Sequence, residues 1–190
     1  MHLPDASVRV PGFVFRGWSA EDIDDLVDAW RDPEMHRWMP EETDPFEASD
    51  AQAFVATASQ RLTNGSALML AIADEGTNRA VGSVTFHAWG PRHWNLGYWV
   101  ALSARGRGLA TASVSLLSRW AFDEYAALER LSLYTLPGNE ASQRVATRAG
   151  FSSEGLLRRW GDAGDRQVDW VMYSLIRDDL SDAPHGEGPR

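Results

Sequence analysis

Hydrophobic positions along the 190-residue chain follow two periods. The stretch "FVFRGWS" at 13–19 alternates apolar and polar residues, as a half-buried strand does. The period then becomes helical, with Ile23, Leu26, Val27 and Trp30 on one stripe. Ser19 stands where a helix cap is needed, Asp22 three residues on completes an approximate capping box, and Pro33 is expected to end the helix. "HRWMPEETDPF" reads as a loop, and 48–63 as a second helix with Phe54, Ala58 and Leu62 on one face. Three strand-like runs follow at 67–74, 79–89 and 94–102, separated by the turn signals "DEGTN" and "GPRH".

A long helix is predicted from about 109 to Tyr125, with Leu109, Ala112, Leu116, Leu117, Trp120 and Ala121 facing inward. "RLSLYTL" at 130–136 is a further strand, and "PGNEASQRVATRAGF" a short helix capped near Asn139 and stopped by Gly150. "SSEGLLRRW" and "RQVDWVMYSLI" form a closing hairpin around "GDAGD". The tail 181–190 has no apolar period and is expected to be disordered. Strands interleaved with helices and no internal repeat predict one α/β domain over 1–180.

Composition removes several chemistries. The chain has no cysteine, so disulfides, thiolate metal sites and a cysteine nucleophile are excluded. It has no lysine, which excludes a Schiff-base lysine and a Walker-type phosphate loop. A net charge of −9 argues against non-specific nucleic-acid binding and suits a cationic partner. The longest strongly apolar run, "ALMLAIA" at 67–73, is far short of the roughly 20 residues of a membrane helix. Met1–Arg16 lacks a signal-peptide pattern, so a cytoplasmic location is expected, with no membrane partner and no metal.

Against this acidic background, "SARGRGLATASV" at 103–114 places two glycines and two arginines where the long helix begins. A helix start exposes unpaired backbone N–H groups and the positive end of the dipole, and glycine admits a ligand close to them. The stretch is either a basic Gly-rich turn with solvated arginines or a cradle for an anion such as a pyrophosphate. The absence of GxGxxG and of Lys-Ser/Thr disfavours a dinucleotide fold or a nucleotide hydrolase.

Arg105-Gly106-Arg107-Gly108-Leu109-Ala110 resembles the Arg/Gln-x-x-Gly-x-Gly/Ala cofactor motif of the GNAT N-acetyltransferase superfamily. "LGYWVAL" before it and "GNEASQRVATRAGF" after it are similar to the ribosomal-protein N-terminal acetyltransferase branch, and the resemblance extends over about 13–178. It implies a mixed, strongly curved sheet of six or seven strands flanked by about four helices, with a splayed central strand pair. It also implies acetyl-CoA as donor, held by the strand end at Val100 and Leu102 and by Arg105, Gly106, Arg107, Gly108, Leu109 and Ala110. By the same resemblance a backbone N–H near Trp99–Val100 polarises the thioester carbonyl. Asn139 matches an asparagine on the pantetheine arm, or is a helix cap. Ser142 matches a serine beside the CoA sulfur that protonates the thiolate, or satisfies the first helical turn.

A general base is less legible. Asn95 stands where the branch often has a glutamate, and a second branch glutamate falls near Gly161, leaving Asp162, Asp165, His87 and His93 as substitutes. Of nine tryptophans, Trp30 and Trp120 fit helix core faces, whereas Trp38, Trp89, Trp94 and Trp160 fall in segments that border the acceptor cleft in the branch. With Glu41, Glu42 and Asp44 they suit an amine-bearing acceptor. The sequence thus predicts an N-acetyltransferase acting by direct attack on a primary amine, either a protein N-terminus or a small amine, with a homodimer in keeping with the family. The alternative is a non-catalytic acyl-CoA-binding module of the same fold, which Asn95 favours.

Overall fold

A computed structural model describes residues 1–39, 45–163 and 166–181. Within them eight strands form one sheet: β1 (Arg9–Val10), β2 (Phe13–Gly17), β3 (Ala67–Asp74), β4 (Ala80–Ala88), β5 (His93–Val100), β6 (Arg130–Thr135), β7 (Ser152–Ala163) and β8 (Arg166–Ile176). Their spatial order is β1-β2-β3-β4-β5-β6-β8-β7. Every neighbouring pair is antiparallel except β5–β6, which is parallel. The helices are α1 (Ile23–Trp30), α2 (Pro33–Trp38), α3 (Ala48–Asn64), α4 (Leu109–Glu124), α5 (Glu140–Arg148) and α6 (Arg177–Ser181). Among the described residues no helix is long and apolar enough to cross a membrane.

The uninterrupted apolar run of β3 reflects burial on both faces. Leu68, Leu70 and Ile72 join the main core with Phe86, Leu96, Leu117, Phe122 and Leu133, on the side of α4 and α5. Ala67 and Met69 meet Ala58 of α3 on the other face. A further cluster joins Leu26, Trp30, Met35, Ala51 and Trp99. Helices therefore cover both faces of the sheet.

The α/β class matches the sequence expectation, with one strand and two helices more than predicted. β1 has two residues, too few to show a period. Pro33 does not only end the first helix: α1 stops at Trp30, and Pro33 opens α2, whose Asp32 cap accepts from the Glu34 N–H at 3.1 Å. Proline suits the first helical position because its missing N–H would have no partner there. The predicted loop thus contains a helical turn. The inward face of α4 is rotated from the predicted stripe. Ala112 is exposed, Leu116 and Trp120 are partly buried, and Ser113, Val114, Ser118 and Phe122 are buried. Two buried serines disguise that stripe in the sequence. Asp22 does more than cap: it accepts from the Ser19 N–H at 2.8 Å and takes two bonds from the Arg16 guanidinium at 2.8 and 2.7 Å, tying β2 to α1. Most of the tail predicted to be disordered, 182–190, lies outside the described residues.

The close approach of β4 to β5 requires a glycine. A methyl at Gly82 would come within 2.7 Å of the Trp99 carbonyl oxygen and 3.1 Å of the Ile72 side chain. Gly82→Ala is expected to destabilise the fold by about 1–3 kcal/mol, as overpacking typically does. Urea denaturation checks this, and an unchanged midpoint would show that the two strands part freely at this point.

Candidate active site

The parallel ladder between β5 and β6 is short. It pairs His93–Leu96 with Arg130–Leu133 and then stops, although β5 continues to Val100 along β4 and β6 continues to Thr135 along β8. The two strand ends bound a cleft of about 690 Å³. Strand alternation decides which groups face it. The Ala101 N–H donates to the Val81 carbonyl at 2.8 Å, so the backbone groups of Tyr98 and Val100 turn to the opposite edge, toward the gap. They resemble the edge of a sheet that lacks its next strand.

The chain leaves β5 through a tight turn. Gly106 and Gly108 both have left-handed backbone, with φ of 74° and 75°, which glycine adopts without penalty. Gly108 caps α4 and has no side chain to satisfy the helix. The first internal bond runs from the Ala112 N–H to the Gly108 carbonyl at 3.0 Å, so the N–H groups of Leu109, Ala110 and Thr111 have no partner within the helix. These residues line the cleft, and a Cβ at either glycine would meet nothing within 4 Å. The arrangement is an anion cradle of backbone donors at a 16-residue helix.

The two motif arginines are engaged elsewhere. Arg105 donates from Nε to the Val100 carbonyl at 2.9 Å and pairs with Asp32 at 2.7 Å. It lines the cleft, but its charge is already balanced. The Arg107 guanidinium lies over the Phe13 ring at 5.4 Å, and Arg107 is not part of the cleft lining. Leu102 is 67% exposed on the turn after β5 and also lies outside the lining, because the strand ends at Val100.

On the far wall, the Asn139 side chain caps α5 by accepting from the Ser142 N–H at 3.1 Å. The Tyr98 hydroxyl donates to Ser142 Oγ at 2.9 Å. Burial pushes the Tyr98 phenol up to about 12 despite the opposing effect of that hydrogen bond. Tyr98 was not singled out in the sequence. The available signal was strand period, since it shares a face with Leu96 and Val100 and so points toward the α5 side.

Trp38, Trp89 and Trp160 line the other end of the cleft, and Trp89 and Trp160 are more than half exposed. Trp94 does not join them. It is 4% exposed in the main core, with its ring 4.6 Å from Tyr125 and 6.0 Å from Phe86, because the period of β5 that points Leu96 inward points Trp94 inward as well. Lining residues that the sequence reading missed are Glu34, Tyr134 and Trp170. Asn95 is in the lining with its Oδ1 buried and unpartnered. Gly161 also lies there, and a side chain at that position would collide with the Trp170 indole. A glutamate at that position would require the Trp170 indole to move.

The substitute bases are placed unevenly. His87 Nδ1 lies 3.4 Å from the Arg61 guanidinium, and burial followed by that charge lowers its pKa. His93 Nε2 is 2.7 Å from Ser132 Oγ, and burial lowers its pKa first, with Arg130 adding to the effect. Neither histidine nor Asp162 belongs to the lining. Glu41, Glu42, Asp44 and Asp165 lie outside the described residues. Among the described lining residues the single carboxylate is Glu34, whose oxygens accept from Trp38 Nε1 at 2.7 Å and from Arg37 at 3.3 Å.

This geometry predicts unequal roles for the arginines in the ligand-free protein. Arg105→Met takes the guanidinium away from the Val100 carbonyl and from the largely buried Asp32 carboxylate, which keeps only the Glu34 N–H, and is expected to cost about 1–3 kcal/mol. Arg107→Met removes a contact over a ring and a through-space attraction to the Asp74 carboxylate, and is expected to cost no more than about 1 kcal/mol. Urea unfolding of both variants checks this, and equal costs would contradict it.

Comparison with known proteins agrees with the geometry. The family description "Acetyltransferase (GNAT) domain" matches residues 13–152. The chain is similar to p20 of Bacillus licheniformis, described as an uncharacterized N-acetyltransferase, at 27% identity over 165 residues, covering 85% of this chain and 91% of that protein. Its fold is similar to a ribosomal-protein-S5-alanine acetyltransferase from Vibrio fischeri, with TM-score 0.77 and 18% identity over 90% of this chain and 96% of that one. It is also similar to Mycobacterium smegmatis RimJ in complex with a CoA disulfide, with TM-score 0.77 and 23% identity over 90% of this chain and 86% of that one. The chain belongs to the GNAT acetyltransferase family, whose acetyl donor is acetyl-CoA.

Proposed function

We propose that this protein moves the acetyl group of acetyl-CoA to a primary amine by direct attack while both substrates occupy the splayed cleft. The observation that carries the reading is the coincidence, in one cleft, of an unpaired strand edge, a glycine-capped helix start and a hydroxyl pair. Acetyl-CoA supplies an activated acyl carbon and a thiol leaving group with a free pKa near 8.5.

The open edge formed by the Tyr98 backbone and the Val100 N–H, with the Val100 carbonyl already held by Arg105, binds the amide-bearing arm as an added strand would. The N–H groups at 106–111 hold the pyrophosphate, with Gly106 and Gly108 leaving room for it. Arg105 contributes by fixing the Val100 carbonyl and the turn, so that the backbone donors are aimed before ligand arrives. A cleft-facing N–H of β5 stabilises the negative charge that develops on the acyl oxygen, an effect typically of about 3 kcal/mol. Asn139 holds the first turn of α5, and Ser142 donates to the departing sulfur.

The acceptor enters from the aromatic end, between Trp38, Trp89 and Trp160. The Vibrio fischeri relative is named for a ribosomal-protein alanine as its acceptor. By that likeness a protein N-terminus is the first acceptor to test here, with small amines as the comparison. Glu34, partly balanced by Arg37, is the carboxylate at this end that an amine can approach, and the amine's surplus proton leaves to solvent at the open mouth. The equipped Ser142 favours turnover over a module that only binds acyl-CoA.

Acetyl-CoA at 100 times its dissociation constant is expected to stabilise the fold by about 2.7 kcal/mol, raising the melting temperature by several degrees. Gly108→Asp, which puts a side chain and a negative charge in the cradle, is expected to abolish that shift. Equal shifts in wild type and variant would show that the stretch is only a turn.

A panel of peptides and small amines, read by thiol release, identifies the acceptor; with no cysteine in the chain, free CoA is the only thiol present. Trp160→Ala is expected to raise acceptor KM at least about threefold while leaving the acetyl-CoA shift unchanged, since a stacking contact is worth roughly 1 kcal/mol. An effect confined to stability would remove Trp160 from the acceptor site.

A further inference from the structure

Ser142 has one hydroxyl proton, and the groups around it decide where that proton points. Its N–H is committed to Asn139 Oδ1. Its Oγ accepts the proton of the Tyr98 phenol at 2.9 Å. Among the described residues no protein acceptor is hydrogen-bonded to the Ser142 hydroxyl proton, and Ser142 and Tyr98 both line the cleft.

We propose that Tyr98 is a positioning residue: by donating to Ser142 Oγ it turns the serine's own O–H into the cleft, toward the leaving sulfur. This rests on the reading above that the C–S bond breaks beside Ser142. Tyr98 acts through the serine and does not touch the reacting atoms.

The chemistry separates this role from that of a proton source. Burial holds the phenol at about 12, well above the free thiol near 8.5, so phenol-to-thiolate transfer is uphill by more than three pK units. The tyrosine therefore keeps its proton across the working pH range and remains a donor. A hydroxyl that accepts one strong hydrogen bond becomes a better donor in the next, and the partly buried setting strengthens both. The step balances without net change in either residue. The amine nitrogen forms its bond to the acyl carbon, the C–S bond breaks, and sulfur takes the electron pair. The surplus nitrogen proton leaves to water, and the thiolate is held by the Ser142 hydrogen bond until it takes a proton from solvent.

The test reads the sulfur directly, without an acceptor. Affinities for CoA and for desulfo-CoA, which lacks the sulfur, are measured by calorimetry at about pH 9, above the free thiol pKa. The proteins are wild type, Tyr98→Phe, Ser142→Ala and the double variant. Wild type is expected to prefer CoA at least about tenfold, as a hydrogen bond to a charged group allows. Tyr98→Phe is expected to lose about three- to tenfold of that preference while its affinity for desulfo-CoA stays within about twofold. Ser142→Ala loses the preference outright, and adding Tyr98→Phe to it changes nothing further, as expected for two residues acting as one unit. A Tyr98→Phe protein that keeps the full preference overturns the proposal. So does the same fractional loss in the Ser142→Ala background, because Tyr98 would then act independently of the serine. Failure of wild type to bind either compound would instead overturn the CoA reading of the cleft, and the role of Tyr98 with it.

Discussion

One interrupted ladder governs this molecule. β5 and β6 pair over four residues and then separate, each still paired with its other neighbour. Every unpaired backbone group in a folded core is costly unless something binds it. Here the unpaired groups open onto a cleft in the middle of the sheet, flanked by α4 and α5. The same separation lets α4 start at the cleft mouth and brings Ser142 across to Tyr98. Binding edge, anion cradle and hydroxyl pair are all consequences of where that pairing stops.

Two arginines line the cleft, and only one of them is balanced by a carboxylate. The chain carries −9 overall, and its first motif arginine is paired with Asp32. Attraction for an anionic donor therefore rests on oriented N–H groups and the α4 dipole, which need no reorganisation when a ligand arrives, together with Arg148, which lines the cleft without an ion pair among the described residues. The aromatic end is different: Trp38, Trp89 and Trp160 line it, Trp38 donates to Glu34, the single carboxylate among the described lining residues, and the lining also holds two buried, unpartnered side-chain atoms, on Asn95 and Trp170.

Much of this was legible because local chemistry and global fold agree. The apolar run of β3, the capping box at Ser19 and the glycine stop at Gly150 each act over a few residues, and the structure keeps them. The turn that opens α4 was equally visible, since left-handed backbone demands Gly106 and Gly108. What the sequence hid depends on long-range placement. Arginine at 105 and 107 looks like anion-binding charge until Asp32 and Phe13 arrive from distant segments. Trp94 looks like a cleft aromatic until the phase of β5 turns it into the core. Tyr98 looks like strand filler until α5, 44 residues later in the chain, supplies its partner. Pro33 read as a stop and is a start, because proline ends one helix for the same reason that it opens another.

On the proposed reading, the open edge of β5 and the start of α4 together hold the donor. Backbone amide hydrogen exchange with and without acetyl-CoA tests it most directly, since it reads the N–H groups themselves. Slowed exchange is expected at 98–100 and 106–111 when acetyl-CoA is added, with β2 and β3 unchanged. Protection confined to other segments, or a uniform slowing across the whole sheet, would contradict it.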